Sequence, residues 1–250
     1  MNRLIRAEAL KLRSTRTFYG VTIGALALIA IAVGATAAAT HFHPGDHPGG
    51  AAFGAAGLAQ TFALVLGVLA VTGEFRHGTI TPSLLITPRR TPLLVAKLID
   101  LALAGLVFGG LAFAGAAAIV LSILSYRGIG SGLDGGDAAA IVAGGTVATA
   151  LFAALGVGIG AIVRNQVGAI VAALCLLYAV EPLLTFLPGV GHAVQRFGLG
   201  GLSSGASGTS GFQSDAHLLG QAPAAVVLAA YALVLFVAGA ALLRRRDVIA

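Results

Sequence analysis

The sequence predicts an all-α membrane protein with six transmembrane helices. Hydrophobic residues make up 58% of the 250-residue chain and charged residues only 10%. The mean hydropathy of +0.97 lies far above the balance of a water-soluble domain. Six apolar runs can each supply the roughly 20 helical residues that cross a hydrocarbon core of about 30 Å. The alternating pattern of a membrane β-barrel is absent from the sequence, so the fold class is helical.

The six predicted spans form a single transmembrane domain, 1–250. They cover about 18–40, 51–73, 93–126, 138–163, 166–187 and 221–243. A basic start before an apolar run imitates a signal peptide, but the first run is too long for one, which favours a retained helix. The extracellular loop 188–220 is the longest polar stretch and is rich in Gly and Ser, so we expect it to be irregular, with short re-entrant pieces near its start.

The basic residues predict the orientation of these spans. Of the 15 Lys and Arg residues, 13 precede span 1, lie between spans 2 and 3 or in the first turns of span 3, lie between spans 4 and 5, or follow span 6. The positive-inside rule makes that side cytoplasmic and places both termini there. The net charge of +6 is then explained by topology, with anionic lipid headgroups as its counterpart and no need for nucleic acid.

The N-terminal segment 1–16 has the pattern of an amphipathic helix that lies on the inner membrane surface. On a helical wheel its apolar and basic residues fall on opposite arcs. These are Leu4, Ile5 and Leu12 against Arg3, Arg6 and Arg13. Glu8 interrupts the apolar arc, and the alternative interpretation is a simple basic flank that fixes topology.

The cytoplasmic loop 74–90 between spans 2 and 3 carries two Thr-Pro pairs, and a third, Thr91-Pro92, follows it directly. Thr before Pro suits the start of a helix and Pro after a helix ends it, so a helix of about two turns is predicted between Pro82 and Pro88. Its apolar residues, Leu84 and Leu85 among them, stand in a loop that is otherwise basic and polar. A charged rim around exposed apolar residues is typical of a docking surface. The alternative is a loop that merely dips into the lipid headgroups.

No motif in the chain supplies energy or catalysis. A phosphate-binding P-loop is absent, and the two lysines, Lys11 and Lys97, follow no glycine-rich loop. The run Gly156-Val157-Gly158-Ile159-Gly160 lies in an apolar span with no strand before it, so it predicts close helix packing instead of a dinucleotide site. We expect no catalytic residues and no enzyme activity in this chain.

Two groups of polar residues have open interpretations. His41, His43, Asp46 and His47 are metal-ligand types, but they also suit a polar turn around Pro-Gly, and we predict no metal site. Lys97 and Asp100 stand three residues apart on one helix face, which predicts a snorkelling ion pair at the inner interface.

Glu181 is unusual because it lies within predicted span 5, directly before Pro182. Carboxylates inside membranes are costly and face a protein interior or a wet cavity. One interpretation is a cation-binding or gating group that lines a transport path. The other is a carboxylate that caps the backbone amides of a re-entrant segment, and the sequence leaves both open.

Two motifs carry a family resemblance. They are LIRAEALKLRSTR at 4–16 and EFRHGTITP at 74–82. With six spans in this order, the chain resembles the permease subunit of ABC-2 type ABC transporters, in particular the short actinobacterial permeases with a type V exporter-like fold. The resemblance covers essentially the whole chain.

The resemblance implies a permease in the bacterial inner (plasma) membrane that pairs with a separate ATPase subunit, which would bind ATP and Mg. It also implies a second permease copy, as a homodimer or a heterodimer, and export of a drug, antibiotic, lipid or other amphipathic molecule by alternating access. The ATPase-binding residues would be Glu74, Arg76, His77, Gly78, Thr79, Thr81, Leu84, Leu85 and Arg164, with Glu181 in the translocation path or gate. The competing class is a membrane carrier, channel or assembly factor that needs no ATPase.

Overall fold

A computed structural model of the chain describes residues 2–14, 16–39, 52–76, 90–133, 135–163, 165–209 and 218–245. These residues are helical apart from short connections, and no strand occurs among them. Six of the described helices are long and apolar enough to cross a membrane. The predicted fold class, an all-α protein with six transmembrane helices, is confirmed.

Nine helices organise the described residues. In chain order they are α1 (Asn2–Ser14), α2 (Arg16–Ala39), α3 (Leu58–Arg76), α4 (Arg90–Tyr126), α5 (Gly135–Ile162), α6 (Gln166–Thr185), α7 (Gly191–Phe197), α8 (Leu199–Ser207) and α9 (Gln221–Arg245). A 3-10 turn, Gly54–Gly57, precedes α3, and a π-helical segment, Leu176–Val180, interrupts α6. The candidate spans are α2 to α6 and α9.

Helix α5 forms the centre of the bundle and packs against α3, α4 and α9. It crosses α3 where Gly67 meets Gly156, and a Cβ added at Gly156 would lie only 2.9 Å from the Cα of Gly67. Gly105 of α4 meets α5 in the same way, since a Cβ added at Gly105 would lie 2.9 Å from the Cα of Ala150. Such contacts provide the van der Waals packing that holds helices together in a membrane, where the hydrophobic effect does not drive their association. The prediction that the glycines of 156–160 serve helix packing is confirmed.

The Gly- and Ser-rich part of the outer segment is more ordered than the sequence predicts. Residues 199–207 form α8, whose Leu202 and Ala206 are buried against α5 and α9. The prediction of irregular structure is wrong here because small residues let α8 lie close to its neighbours. The carbonyl of Leu219, for example, would clash with a larger side chain at Gly205.

Polar contacts mark the two ends of the bundle. One end holds α1, the end of α3 and the starts of α4 and α6, and we call it the basic end. At the other end, Arg127 Nη1 donates to the Ala37 carbonyl oxygen over 2.6 Å and caps the last turn of α2, where a positive charge is favourable. Gln221 Nε2 donates to the Ala140 carbonyl oxygen at that same end and ties α9 to α5.

Candidate functional site

Four side chains at the basic end form a closed ring of alternating charge, which we call the charge ring. Lys11 Nζ lies 2.8 Å from Glu8 Oε1 and 3.1 Å from Glu74 Oε1. Lys97 Nζ lies 2.5 Å from Glu8 Oε2 and 3.0 Å from Glu74 Oε1. Each charge therefore touches two charges of opposite sign, and three helices, α1, α3 and α4, meet in the ring.

Burial differs around the ring. Glu8 and Lys97 are 4% and 6% exposed, whereas the Lys11 side chain is 48% exposed. An isolated buried charge is very costly, so the two buried members depend on their partners. Glu8 stands in the apolar arc of α1 and forms an ion pair with Lys97 of α4, the helix on which α1 packs. Lys11, one turn further along α1, lies on the same face as Glu8.

The electrostatics of the ring favour its charged form. Burial alone would raise the pKa of the Glu8 carboxyl, but the ammonium groups of Lys97 and Lys11 outweigh burial and hold that pKa below its ordinary value of 4.5. For Lys11, burial would lower the pKa, and the carboxylates of Glu8 and Glu74 raise it above its ordinary value of 10.5. Both groups are thus ionised around neutral pH.

The charge ring joins the two helix ends that flank the loop between spans 2 and 3. Glu74 lies two residues before the end of α3, and Lys97 lies in the second turn of α4. Glu74 is ion-paired to Lys11 of α1, and Lys97 is ion-paired to Glu8 of α1. The end of α3 and the start of α4 are thus each joined to α1 and to one another by ion pairs.

A second contact links this region to α6. Arg76 Nη1, at the end of α3, donates to Gln166 Oε1, at the start of α6, over 3.3 Å. Asn165 caps α6 by accepting a hydrogen bond from the Gly168 amide at 3.0 Å. The ends of both predicted cytoplasmic loops, between spans 2 and 3 and between spans 4 and 5, are therefore in contact.

The structure describes two of the predicted ATPase-binding residues, Glu74 and Arg76, and places both at the basic end. The others lie outside the described residues, as does the histidine cluster at 41–47. The predicted ATPase-binding residues outside the described ranges are His77, Gly78, Thr79, Thr81, Leu84, Leu85 and Arg164. Within the described ranges, no group of three or more His, Cys, Asp or Glu residues is placed to hold a metal ion.

The ion-pair partners of Lys97 differ from the sequence prediction. A local pair with Asp100 was expected, whereas Lys97 contacts Glu8 and Glu74 from two other helices. Asp100 is buried, 8% exposed, on the same helix. Helical spacing identifies neighbours on one helix but carries no information about carboxylates that come from elsewhere in the chain.

Glu181 caps a helix, which confirms one of its two interpretations. Its Oε1 accepts from the Leu199 amide at 2.7 Å, and its Oε2 accepts from the Gly200 amide at 2.9 Å. These are the free amides at the start of α8, where a negative charge is favourable. Gly198 leaves room for the carboxylate, because a Cβ there would lie 3.1 Å from Oε2. Glu181 thereby ties the C-terminal end of α6 to α8.

Sequence reasoning missed a second polar group near Glu181. Thr61 Oγ1 of α3 and Tyr178 OH of α6 are hydrogen-bonded at 2.6 Å. The neighbouring Gln60 is 1% exposed, and its Oε1 accepts from Ser203 Oγ of α8. Gln60 Nε2 has no hydrogen-bond partner in the described part of the chain. The consecutive polar pair Gln60-Thr61 inside an apolar span was the available signal.

The family follows from a comparison with protein-family models. The model of the ABC-2 family transporter proteins matches residues 4–181, from α1 to the C-terminal end of α6. The chain belongs to this family. The ABC-2 match includes the whole charge ring, the loop between spans 2 and 3, and Glu181. No curated protein sequence matches the chain. The ABC-2 protein is thus a multi-pass membrane component of a transporter, as the sequence resemblance predicted.

Proposed function

We propose that this ABC-2 protein is the permease subunit that pairs with a separate ATPase subunit and exports a small amphipathic or hydrophobic molecule by alternating access. The protein would lie in the bacterial inner membrane. ATP and Mg would bind to the ATPase, and this chain would perform no hydrolysis, in keeping with the lack of a P-loop in its sequence.

The observation that carries the proposal is the charge ring. A partner that pushes on the loop between α3 and α4 acts on two helix ends that share ion pairs with α1. Residues held in this way move together, because separating them would strand buried charges at Glu8 and Lys97. The loop and α1 therefore form one lever, and the motion enters spans 2 and 3 at the same time.

The contact between Arg76 and Gln166 extends this lever to span 5. Helices α3 (span 2) and α6 (span 5) would then shift relative to the central α5 when the ATPase subunits close. This agrees with the packing of the bundle, since 61% of the apolar stretch of α5 is buried and only 11% of the apolar stretch of α6. A poorly packed helix is free to move, whereas a central one serves as the frame.

We further propose a second permease copy beside α6, as a homodimer or a heterodimer. The exposed Cys175 of α6 offers a direct test, because it is the chain's one cysteine. In a homodimer arranged in this way, mild oxidation in membranes would produce a disulfide-linked dimer, and Cys175→Ser would not. A monomer band under both conditions would exclude this arrangement.

The pairing with an ATPase is tested by docking variants. The tagged chain, purified in mild detergent with its candidate ATPase, should retain the ATPase and stimulate ATP hydrolysis. Leu84→Asp and Leu85→Asp should abolish both without unfolding the spans. Tyr126→Asp, at the opposite end and 94% exposed, serves as the matched control and should leave both unchanged.

Two results would overturn the proposal. One is normal co-purification and ATPase stimulation by both aspartate variants. The other is transport by the purified chain in liposomes without any nucleotide, which would favour a carrier or channel that needs no ATPase.

A further inference from the structure

Three helices are joined pairwise by polar contacts at the end of the bundle opposite the charge ring. Tyr178 joins α6 to α3 through Thr61, and Glu181 joins α6 to α8 through two backbone amides. Ser203 closes the triangle by donating from α8 to Gln60 of α3. Inside a membrane such polar contacts are rare, and here they concentrate around one helix end.

Apart from its packing on α7, the end of α6 is largely exposed. Its side chains at Val180, Leu183 and Phe186 are 42%, 66% and 84% exposed. In contrast, α8 packs on both α5 and α9, and Ser203 fixes it to α3 as well. Helices α3 and α8 both pack on α5 and are joined through Ser203, and the end of α6 is held to this pair.

The backbone of α6 is weakest at the same place. The amide of Glu181 bonds to the carbonyl of Leu176, five residues earlier, and the following Pro182 has no amide hydrogen. Proline therefore removes a bond that an α-helix needs, and the π-helical segment Leu176–Val180 results. Such π-helical turns are frequent at functional sites.

We propose that Tyr178 and Glu181 are tethers that hold the outer end of α6 closed, and that their release opens the outer side of the translocation path. This inference rests on the proposed function and names the contacts that alternating access must break. Gln60 favours release, because its buried Nε2 has no partner among the described residues and would gain water as the outer side opens. The buried Nε2 of Gln60 therefore destabilises the closed state, and the two tethers stabilise it.

Thiol labelling of the permease in liposomes, without any ATPase, tests the tethers. In a Cys175→Ser background, Ala173→Cys places a reporter on the face of α6 that is 5% exposed. Its reaction with a membrane-impermeant maleimide, added from the outer side, measures how often α6 leaves the bundle. Tyr178→Phe, which lacks one oxygen, should raise the rate about threefold, and Tyr178→Phe with Glu181→Gln should raise it about tenfold or more.

Tyr231→Phe is the matched control. Tyr231 of α9 is also partly exposed, and its hydroxyl donates to the carbonyl oxygen of Phe197 in α7 at 3.2 Å. It should leave the labelling rate unchanged. A rate within about twofold of the wild type for both tether variants, with a normal unfolding temperature, would overturn the inference.

This readout separates the two proposals. Faster labelling in a permease that never captures an ATPase would preserve the tethers and reject the proposed function. Unchanged labelling in a permease that does capture one would reject the tethers alone.

Discussion

Glu8 Oε2 and Lys97 Nζ lie 2.5 Å apart, although 89 residues separate them in the chain. The pair is buried, and it joins the surface helix α1 to the start of α4. Since neither charge would be stable alone in this position, the pair decides whether α1 is docked on the bundle.

Lys97→Met should destabilise the protein more than any other single change in the charge ring. It leaves the buried Glu8 with only Lys11, and breaking a buried pair costs about 3–5 kcal/mol. Lys11→Met should cost at most about 1 kcal/mol, because that side chain is about half exposed and its ion pairs are screened by water. Unfolding curves in mixed micelles measure both, and equal losses would contradict the burial pattern of the ring.

A charge swap distinguishes a closed ring from an isolated ion pair. In an isolated pair, exchanging Glu8 and Lys97 would restore stability. In the ring, Glu8→Lys with Lys97→Glu brings like charges together at Lys11 and Glu74, so the double variant should stay destabilised. The four-fold exchange, Glu8→Lys, Lys11→Glu, Glu74→Lys and Lys97→Glu, should recover most of the loss. Full rescue by the double exchange would show that Lys11 and Glu74 contribute nothing.

The charge ring also shows the limit of sequence reasoning for this protein. The six spans follow from hydropathy because a span is a local property of about 20 consecutive residues. The partners of Lys97 are a tertiary property, and helical spacing suggested Asp100 in place of Glu8 and Glu74. The one usable clue was Glu8 itself, a charge in the middle of an apolar arc. Similarly, the Gly-rich composition of α8 predicted irregular structure because its burial against α5 and α9 cannot be read from the chain.

Docking of α1 should depend on pH at both extremes. The pKa of Glu8 is lowered on folding, so its contribution is present above pH 4.5 and is lost as pH falls through the folded value. The pKa of Lys11 is raised, so its contribution is present below pH 10.5 and is lost as pH rises through the folded value. We expect α1 to stay docked at least from pH 4.5 to pH 10.5, where both contributions are present.

Fluorescence anisotropy checks this pH range. A dye at the exposed position Ala7→Cys, in a Cys175→Ser background, should report a mobile α1 only outside the range. Glu8→Gln should remove the acid transition, since an amide does not titrate. An acid transition of the same midpoint in that variant would assign it to another group.

The crossing of α3 and α5 should tolerate no side chain at Gly67. A Cβ there would meet the Ala153 carbonyl oxygen and lie 3.0 Å from the Cα of Gly156. Gly67→Ala should therefore cost about 1–3 kcal/mol through overpacking. Gly73→Ala, on the same helix with nothing within 4 Å of an added Cβ, should be neutral or slightly stabilising. Unfolding curves of the two variants that coincide would contradict the close crossing.

The contact between Arg76 and Gln166 should transmit motion without adding stability. It is exposed and 3.3 Å long, so Gln166→Ala should change the free energy of unfolding by less than about 0.5 kcal/mol. If the contact carries motion from the end of α3 to α6, Gln166→Ala should keep the ATPase bound and active but lower the amount of substrate moved per ATP. Arg76→Ala should have the same effect, plus any loss of ATPase binding that belongs to the arginine itself. Gln166 lies outside the loop 74–90. A normal transport ratio in Gln166→Ala would therefore mean that spans 2 and 5 move together by another route, and that Arg76 acts only on the partner.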